Sequence, residues 1–292
     1  MKKRLFVVAF VAALAAASAT AFTMMRGQRR QKSDTTTHAT SASASEAGGD
    51  ASDSRVTRAC VPVVVELFTS EGCSSCPPAD ALLARMDKTQ PVQGAEVIAL
   101  AQHVDYWNQL GWSDPFSSHE FSERQGEYAR AFGNDGVYTP QMVVDGRAEF
   151  PGGDSGKAFD EIASAAHEPK AEVMLSRADA GQDEGGALRF SVRVEKPPKV
   201  SDGDAADVLL AITEGGLSSD VARGENSGRK LTHVGVVRRL TKLGELGAGA
   251  FSTEASVALD KNWRRENLRA VVLLQERASR RVVGAASIKL FD

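Results

Sequence analysis

The chain has 292 residues, 42% of them apolar, which suits one or two domains with ordinary cores. Its formal charge of −3 argues against a nucleic-acid-binding surface. Three cysteines is an odd number, so any internal pairing leaves one over.

The first element is a leader. Lys2-Lys3-Arg4 is basic, Leu5 to Ala21 is apolar and Ala-rich, and Ala17-Ser18-Ala19 and Ala19-Thr20-Ala21 offer small-residue cleavage sites. This pattern predicts a signal peptide over residues 1–21. The rival is an uncleaved anchor, because the apolar run extends to about Met25, close to the ~20 residues a span needs. Export places the protein in the periplasm or outside the cell, where disulfides persist. A retained anchor would be its one link to a membrane, since no later segment is long and apolar enough to span. Residues 22–60 are rich in Ser, Thr, Ala, Gly and Asp, without apolar periodicity, and read as a disordered spacer. Cys60 closes the spacer and reads as an incidental exposed thiol. A third exchange partner or an intermolecular link are its alternatives.

From Val61 to Pro169 strands and helices alternate. Val61–Phe68 is an apolar strand, Pro78–Asp87 a helix with Leu82, Leu83 and Met86 inward, and Glu96–Gln102 a second buried strand. A loop rich in aromatics, His103–Ser118, leads to a helix over His119–Phe132. Gln141–Val144 is a strand, Asp145-Gly146 a hairpin turn, and Arg147–Phe150 the returning strand. A helix over Ser155–Ala166 completes a βαβαββα order, which is the thioredoxin topology. From residue 170 to 292 short alternating runs, separated by Asp, Gly, Pro and Ser, predict seven strands and almost no helix. The expected fold is therefore an α/β thioredoxin-like domain over 61–169 followed by an all-β, sandwich-like domain over 170–292.

The chemistry concentrates at Glu71-Gly72-Cys73-Ser74-Ser75-Cys76-Pro77-Pro78. A strand delivers two cysteines spaced C-x-x-C to a helix N-terminus, where free N–H groups and the helix dipole favour a thiolate. Cys73, expected to be the more exposed, is the candidate nucleophile; Cys76, one turn in, is the candidate resolving thiol. Thr139-Pro140, before the third strand, is where such folds set a cis-proline facing the dithiol. Glu66 interrupts an apolar strand; buried near Cys76, it would have a raised pKa and could relay protons, and otherwise it is a strand-end acid. His103, Asp105, Tyr106, Trp107 and Trp112 follow the second strand and read mainly as a packed loop, with a substrate platform as the alternative. His119, His167 and His233 stand alone and read as surface residues. The charged loop Arg223–Arg229 reads as solvated, with an interdomain contact as its alternative.

Together Val65–Asp80, His103-Val104-Asp105-Tyr106-Trp107, Tyr138–Gly146, Gly224-Glu225-Asn226 and the Leu273–Leu290 region resemble an exported bacterial thioredoxin-like family catalogued as domain of unknown function 1223. The resemblance runs from Val61 to nearly the last residue and leaves out the spacer. It implies a thioredoxin-like fold with an added β-rich region, and no settled activity.

Three functions follow. The leading one is an exported thiol–disulfide oxidoreductase using Cys73, Cys76, Pro140, Thr139 and Glu66, with protein thiols or disulfides and a redox protein as partners and no cofactor. The second is copper handling by Cys73, Cys76 and His103, since soft thiolates suit Cu(I). The third is a binding module in which Cys73–Cys76 is a structural staple.

Overall fold

The computed structural model describes residues 60–177 and 187–291, all within the compact unit Arg55–Asp292. The predicted leader and the spacer up to residue 59 lie outside the described residues.

The first strand, β1 (Val61–Thr69), is rich in β-branched residues and buried on both faces from Val63 onward. Helix α1 (Pro77–Thr89) begins with prolines, whose missing N–H groups cost nothing in a first turn. Strand β2 (Ala95–His103) follows and pairs with β1 in parallel. Ser118 caps α2 (His119–Phe132), its hydroxyl accepting from the Glu120 N–H, and Gly133 ends that helix at φ 72°. Strands β3 (Gln141–Val144) and β4 (Ala148–Pro151) form a hairpin whose turn has positive φ at both Asp145 and Gly146. Asp154 then caps α3 (Ser155–Ala165), accepting from the Lys157 N–H at 2.9 Å.

Nine more strands follow: β5 (Met174–Arg177), β6 (Ala187–Val194), β7 (Ala206–Glu214), β8 (Leu217–Asp220), β9 (Lys230–His233), β10 (Val236–Leu246), β11 (Phe251–Ala258), β12 (Leu268–Glu276) and β13 (Val282–Lys289). They do not build a separate domain. One eight-stranded mixed sheet runs β13-β12-β7-β10-β2-β1-β3-β4 through both halves of the chain. The expected thioredoxin-like domain followed by a sandwich-like domain is thus overturned. Among the described residues the protein is mostly β, with three α-helices, and its two halves share a sheet.

The reason lies at β2. In an isolated first half it would be an edge strand with two apolar faces, which invites pairing. β10 supplies the cover: Val236 pairs with Ala101 in parallel, and the Ala101 N–H donates to the Gly235 carbonyl at 2.8 Å. Gly235 sits at φ 58°, and a Cβ there would lie 2.4 Å from the Ala99 oxygen, so the approach requires glycine. The seam has few backbone bonds but is packed. Val64, Ile98 and Leu100 share a core with Phe121 of α2 and with Ala211, Val237, Val271 and Leu273. At ~1.5–3 kcal/mol per buried large side chain against ~1 for a hydrogen bond, packing dominates the joint.

The opposite face of β1, with Val63, Val65 and Leu67, packs on Leu83 and Met86 of α1 and Ile162 of α3. A three-stranded sheet, β11-β6-β5, lays Phe190 and Val192 against Leu210, Ile212 and Leu274 of the large sheet. The expected boundary near Pro169 is tied down: Lys170 Nζ meets Asp145 Oδ2 at 2.5 Å and also donates to the Pro62 carbonyl, and Asp145 Oδ1 accepts from the Val64 N–H. Among the described residues no helix is long and apolar enough to cross a membrane.

Candidate functional site

β1 ends at Thr69, and Ser70-Glu71-Gly72 turns the chain into Cys73, which is disulfide-bonded to Cys76 with a Cα–Cα distance of 5.5 Å. Cys76 is the N-cap of α1. Both cysteines are fully buried, so the expected exposure of Cys73 is corrected, while Ser74 and Ser75 between them are exposed. Cys60 is a free, exposed thiol.

The cover comes from far along the chain. Asn226, itself fully buried, donates from Nδ2 to the carbonyls of Glu71 and Cys73, each at 2.9 Å. Glu225 Oε2 accepts from the Ser74 N–H at 2.9 Å, and the Ser74 side chain together with this N–H holds its carboxyl below the usual range. Arg229 fixes the Asn226 amide through Oδ1 at 2.7 Å. The Arg223–Arg229 loop therefore seals the cysteine turn; at Asn226 the solvated-loop reading fails, because the side chain is spent on main-chain carbonyls.

The Thr139–Pro140 peptide is cis. Thr139 Oγ1 accepts from Trp107 Nε1 at 2.8 Å, and Trp107 also abuts the cysteine turn, since a Cβ on Gly72 would lie 3.2 Å from the Trp107 Cβ. Trp107 thus bridges the Thr-Pro step to the residue before Cys73. Tyr106 donates to Gln125 at 3.1 Å.

Glu66 is not where its proposed role needs it. Val63, Val65 and Leu67 face α1, so by the alternation of a strand Glu66 faces the α2 side. It is buried against Arg124, whose Nε and Nη2 reach its two oxygens at 2.7 and 2.9 Å, and it accepts from Gln102 and the Tyr128 hydroxyl. Burial alone would raise its pKa, but the Arg124 charge and these hydrogen bonds hold the carboxyl below its ordinary value. Arg124 also donates to Gln275 of β12 at 2.9 Å, so Glu66 is a charged tie between β1, α2 and β12.

The buried polar groups on the cysteine side are different ones. His103 Nδ1 meets Asp114 Oδ2 at 2.7 Å; burial works against the imidazolium, yet Asp114 raises the His103 pKa, and His103 lowers that of Asp114. Asp114 Oδ2 also accepts from the Glu71 N–H at 2.8 Å. His233 Nε2 meets Glu71 Oε1 at 3.0 Å, and Trp112 Nε1 donates to Glu71 Oε2 at 2.8 Å. The two imidazoles touch edge to face with centroids 4.7 Å apart. Asp80, in the first turn of α1, accepts from Thr69 at 3.2 Å and lies 3.9 Å from His233 Nδ1. His233, expected at the surface, is buried. His119 is exposed beside Asp105 and Glu123, and His167 is exposed, as expected. Among the described residues no group of three or more His, Cys, Asp and Glu is arranged to hold a metal, and His103 spends Nδ1 on Asp114.

A family model described as "Protein of unknown function (DUF1223)" matches residues 64–275. The chain belongs to the DUF1223 family. An X-ray crystal structure of a protein from Agrobacterium tumefaciens is similar to it, with 31% sequence identity, a TM-score of 0.63, and coverage of 78% of this chain and 94% of that one. No curated protein matches.

The DUF1223 match starts inside β1 and ends at Gln275, so it takes in the cysteine turn, the covering loop and the β12 residue that binds Arg124. Glu225, Asn226 and Asp80 entered the reading of the sequence only inside resemblance motifs or a loop, His233 only as a surface residue and Asp114 not at all, so none of the five was assigned to the site they complete. For His233 a signal existed: Lys230-Leu231-Thr232-His233 alternates, and His233 falls on the buried Leu231 face.

Proposed function

We propose that this DUF1223 protein is an exported thiol–disulfide oxidoreductase whose working group is the Cys73–Cys76 pair. The observation that carries the reading is the disulfide closed at the N-terminus of α1, joined through Trp107 to the cis Thr139–Pro140 step. At that position the helix N-terminus favours a thiolate released from the disulfide. A thiolate of a partner protein attacks Cys73 Sγ, the S–S bond breaks, and its electron pair leaves on Cys76 Sγ. A second partner thiol then attacks the partner sulfur of the mixed disulfide and returns Cys73 as thiolate. The partner becomes a disulfide and this protein a dithiol; the reverse sequence oxidises a partner. Export, inferred from the leader pattern, would supply protein thiols and disulfides as partners.

Full burial of both cysteines favours a second reading, a structural staple in a binding module. The reduction potential separates them. Equilibration with glutathione or dithiothreitol, with trapping of free thiols, should give a value between about −270 and −120 mV for a working couple. A value well below about −300 mV would assign the staple. Retained disulfide-exchange activity in Cys73→Ser would also overturn the oxidoreductase.

A further inference from the structure

We propose that Asp80, beside His233 and through it His103, is the group that gives and takes the proton during exchange at Cys73–Cys76. The inference rests on the oxidoreductase reading and assigns a role that Glu66 cannot fill, since Glu66 faces away from α1 and is locked to Arg124.

Asp80 lies one helical turn after Cys76, and its N–H donates to the Cys76 carbonyl at 3.1 Å. Residues i and i+4 share a helix face, and helical side chains lean toward the N-terminus, so the Asp80 carboxyl covers the turn that holds Cys76. Its surroundings are set by four elements: Thr69 from β1, His103 from β2, Asp114 from the loop before α2, and His233 from β9. Burial raises the Asp80 pKa against the opposing pull of His233 and His103.

Two independent features mark this cluster as one that handles protons. His103 Nε2 and His233 Nδ1 are buried and have no hydrogen-bond partner, although both rings are anchored through their other nitrogen. Buried polar atoms without partners are rare because each costs roughly 1–3 kcal/mol. A cleft of about 180 Å³ lined by Pro77, Asp80, Arg229, Lys230 and His233 also reaches Asp80 from outside, giving the proton an exit past two cationic side chains.

The step balances as follows. A partner thiolate bonds to Cys73 Sγ, the Cys73–Cys76 bond breaks, and the electron pair leaves on Cys76. Asp80 gives its proton to that thiolate, becomes a carboxylate beside the imidazoles, and takes a proton back from water through the cleft. In the reverse direction Asp80 takes the Cys76 proton as Cys76 attacks the mixed disulfide.

The test uses the full chain with Cys60→Ser in every sample. The thiolate absorbance of the reduced pair and its rate of oxidation by glutathione disulfide are followed from about pH 5 to 9. Coupled groups titrate in shared steps, so the parent should show more than one inflection. Asp80→Asn should lose one inflection and slow exchange near neutral pH by roughly tenfold or more. His233 pulls the Asp80 pKa down, so in His233→Gln the profile should move to higher pH, and this variant decides the question alone if Asp80→Asn does not fold. A parent-like profile with a rate within about twofold in the folded variants overturns the proposal. A parent that never exchanges with glutathione overturns the oxidoreductase reading itself, and the proton role with it.

Discussion

Asn226 holds the carbonyl of Cys73 with a 2.9 Å hydrogen bond from 153 residues further along the chain, and holds that of Glu71 with its second amide hydrogen. Asn226→Ala leaves both carbonyls without this partner, at about 1–3 kcal/mol where water cannot replace it. The expected result is a stability loss of that order in denaturant and a disulfide reduced by dithiothreitol roughly tenfold faster. Reduction at the parent rate would show that the loop does not control access.

Arg124→Met should be among the most damaging single changes. It leaves the buried Glu66 carboxylate unpaired, which costs about 3–5 kcal/mol, while the double variant with Glu66→Met should recover much of the loss. Because the folded Glu66 pKa is depressed, its contribution is present above the unfolded value of about 4.3 and is lost as pH falls through the folded one. Chemical unfolding at neutral and acid pH checks both statements, and a double variant no better than the single would refute the pairing.

The His103–Asp114 pair predicts a stability plateau. The raised His103 pKa gives stability that is full below about pH 6.5 and is lost as pH rises through the folded value. The depressed Asp114 pKa gives stability present above about pH 3.9 and lost as pH falls. The pair therefore contributes most between those limits. His103→Asn should flatten the decline on the alkaline side; a melting profile in which that decline persists unchanged would assign it elsewhere.

Asp80 carries the opposite sign. Its folded pKa is raised, so stability falls as pH rises from the unfolded value, about 3.9, through the folded one. Asp80→Asn should melt a few degrees above the parent at neutral pH, and this advantage should vanish in acid. A variant less stable than the parent at every pH would mean that Asp80 is held mainly for its Thr69 hydrogen bond.

Gly235→Ala tests the seam. The left-handed backbone and the 2.4 Å approach to Ala99 make a Cβ strained and obstructed. The expected loss is about 2 kcal/mol or more, at the upper end of the usual cost of such backbone strain. Amide exchange should accelerate at Ala101, whose N–H bonds to the Gly235 carbonyl. Unchanged protection there would show that packing alone holds β10 to β2.

Local pattern made the elements legible. Pro77-Pro78, Ser118, Gly133 and Asp145-Gly146 mark starts, caps and turns with residues whose backbone chemistry is local, and the helix expected over His119–Phe132 has those bounds. The shared sheet was not legible. β7 and β12 are buried on both faces over much of their length, but an apolar run states only that it is covered, not by which strand. The site failed in the same way. His233 looked solitary because its partner Glu71 is 162 residues away, and Glu66 looked like a proton relay because Arg124 is invisible from β1. The C-x-x-C turn and Thr139-Pro140 were readable because each is a contiguous motif.

The order in which the chain is made runs against the order in which its sulfurs are sealed. Cys73 and Cys76 leave the ribosome long before the segment that carries Asn226, and β2 emerges with its flank bare before β10 arrives to cover it. During that interval both thiols, and Cys60 beside them in sequence, are open to any oxidant they meet. The correct pairing must therefore be reached early or sorted afterwards, and completion of the C-terminal half is what narrows the set of molecules that can reach the pair from then on.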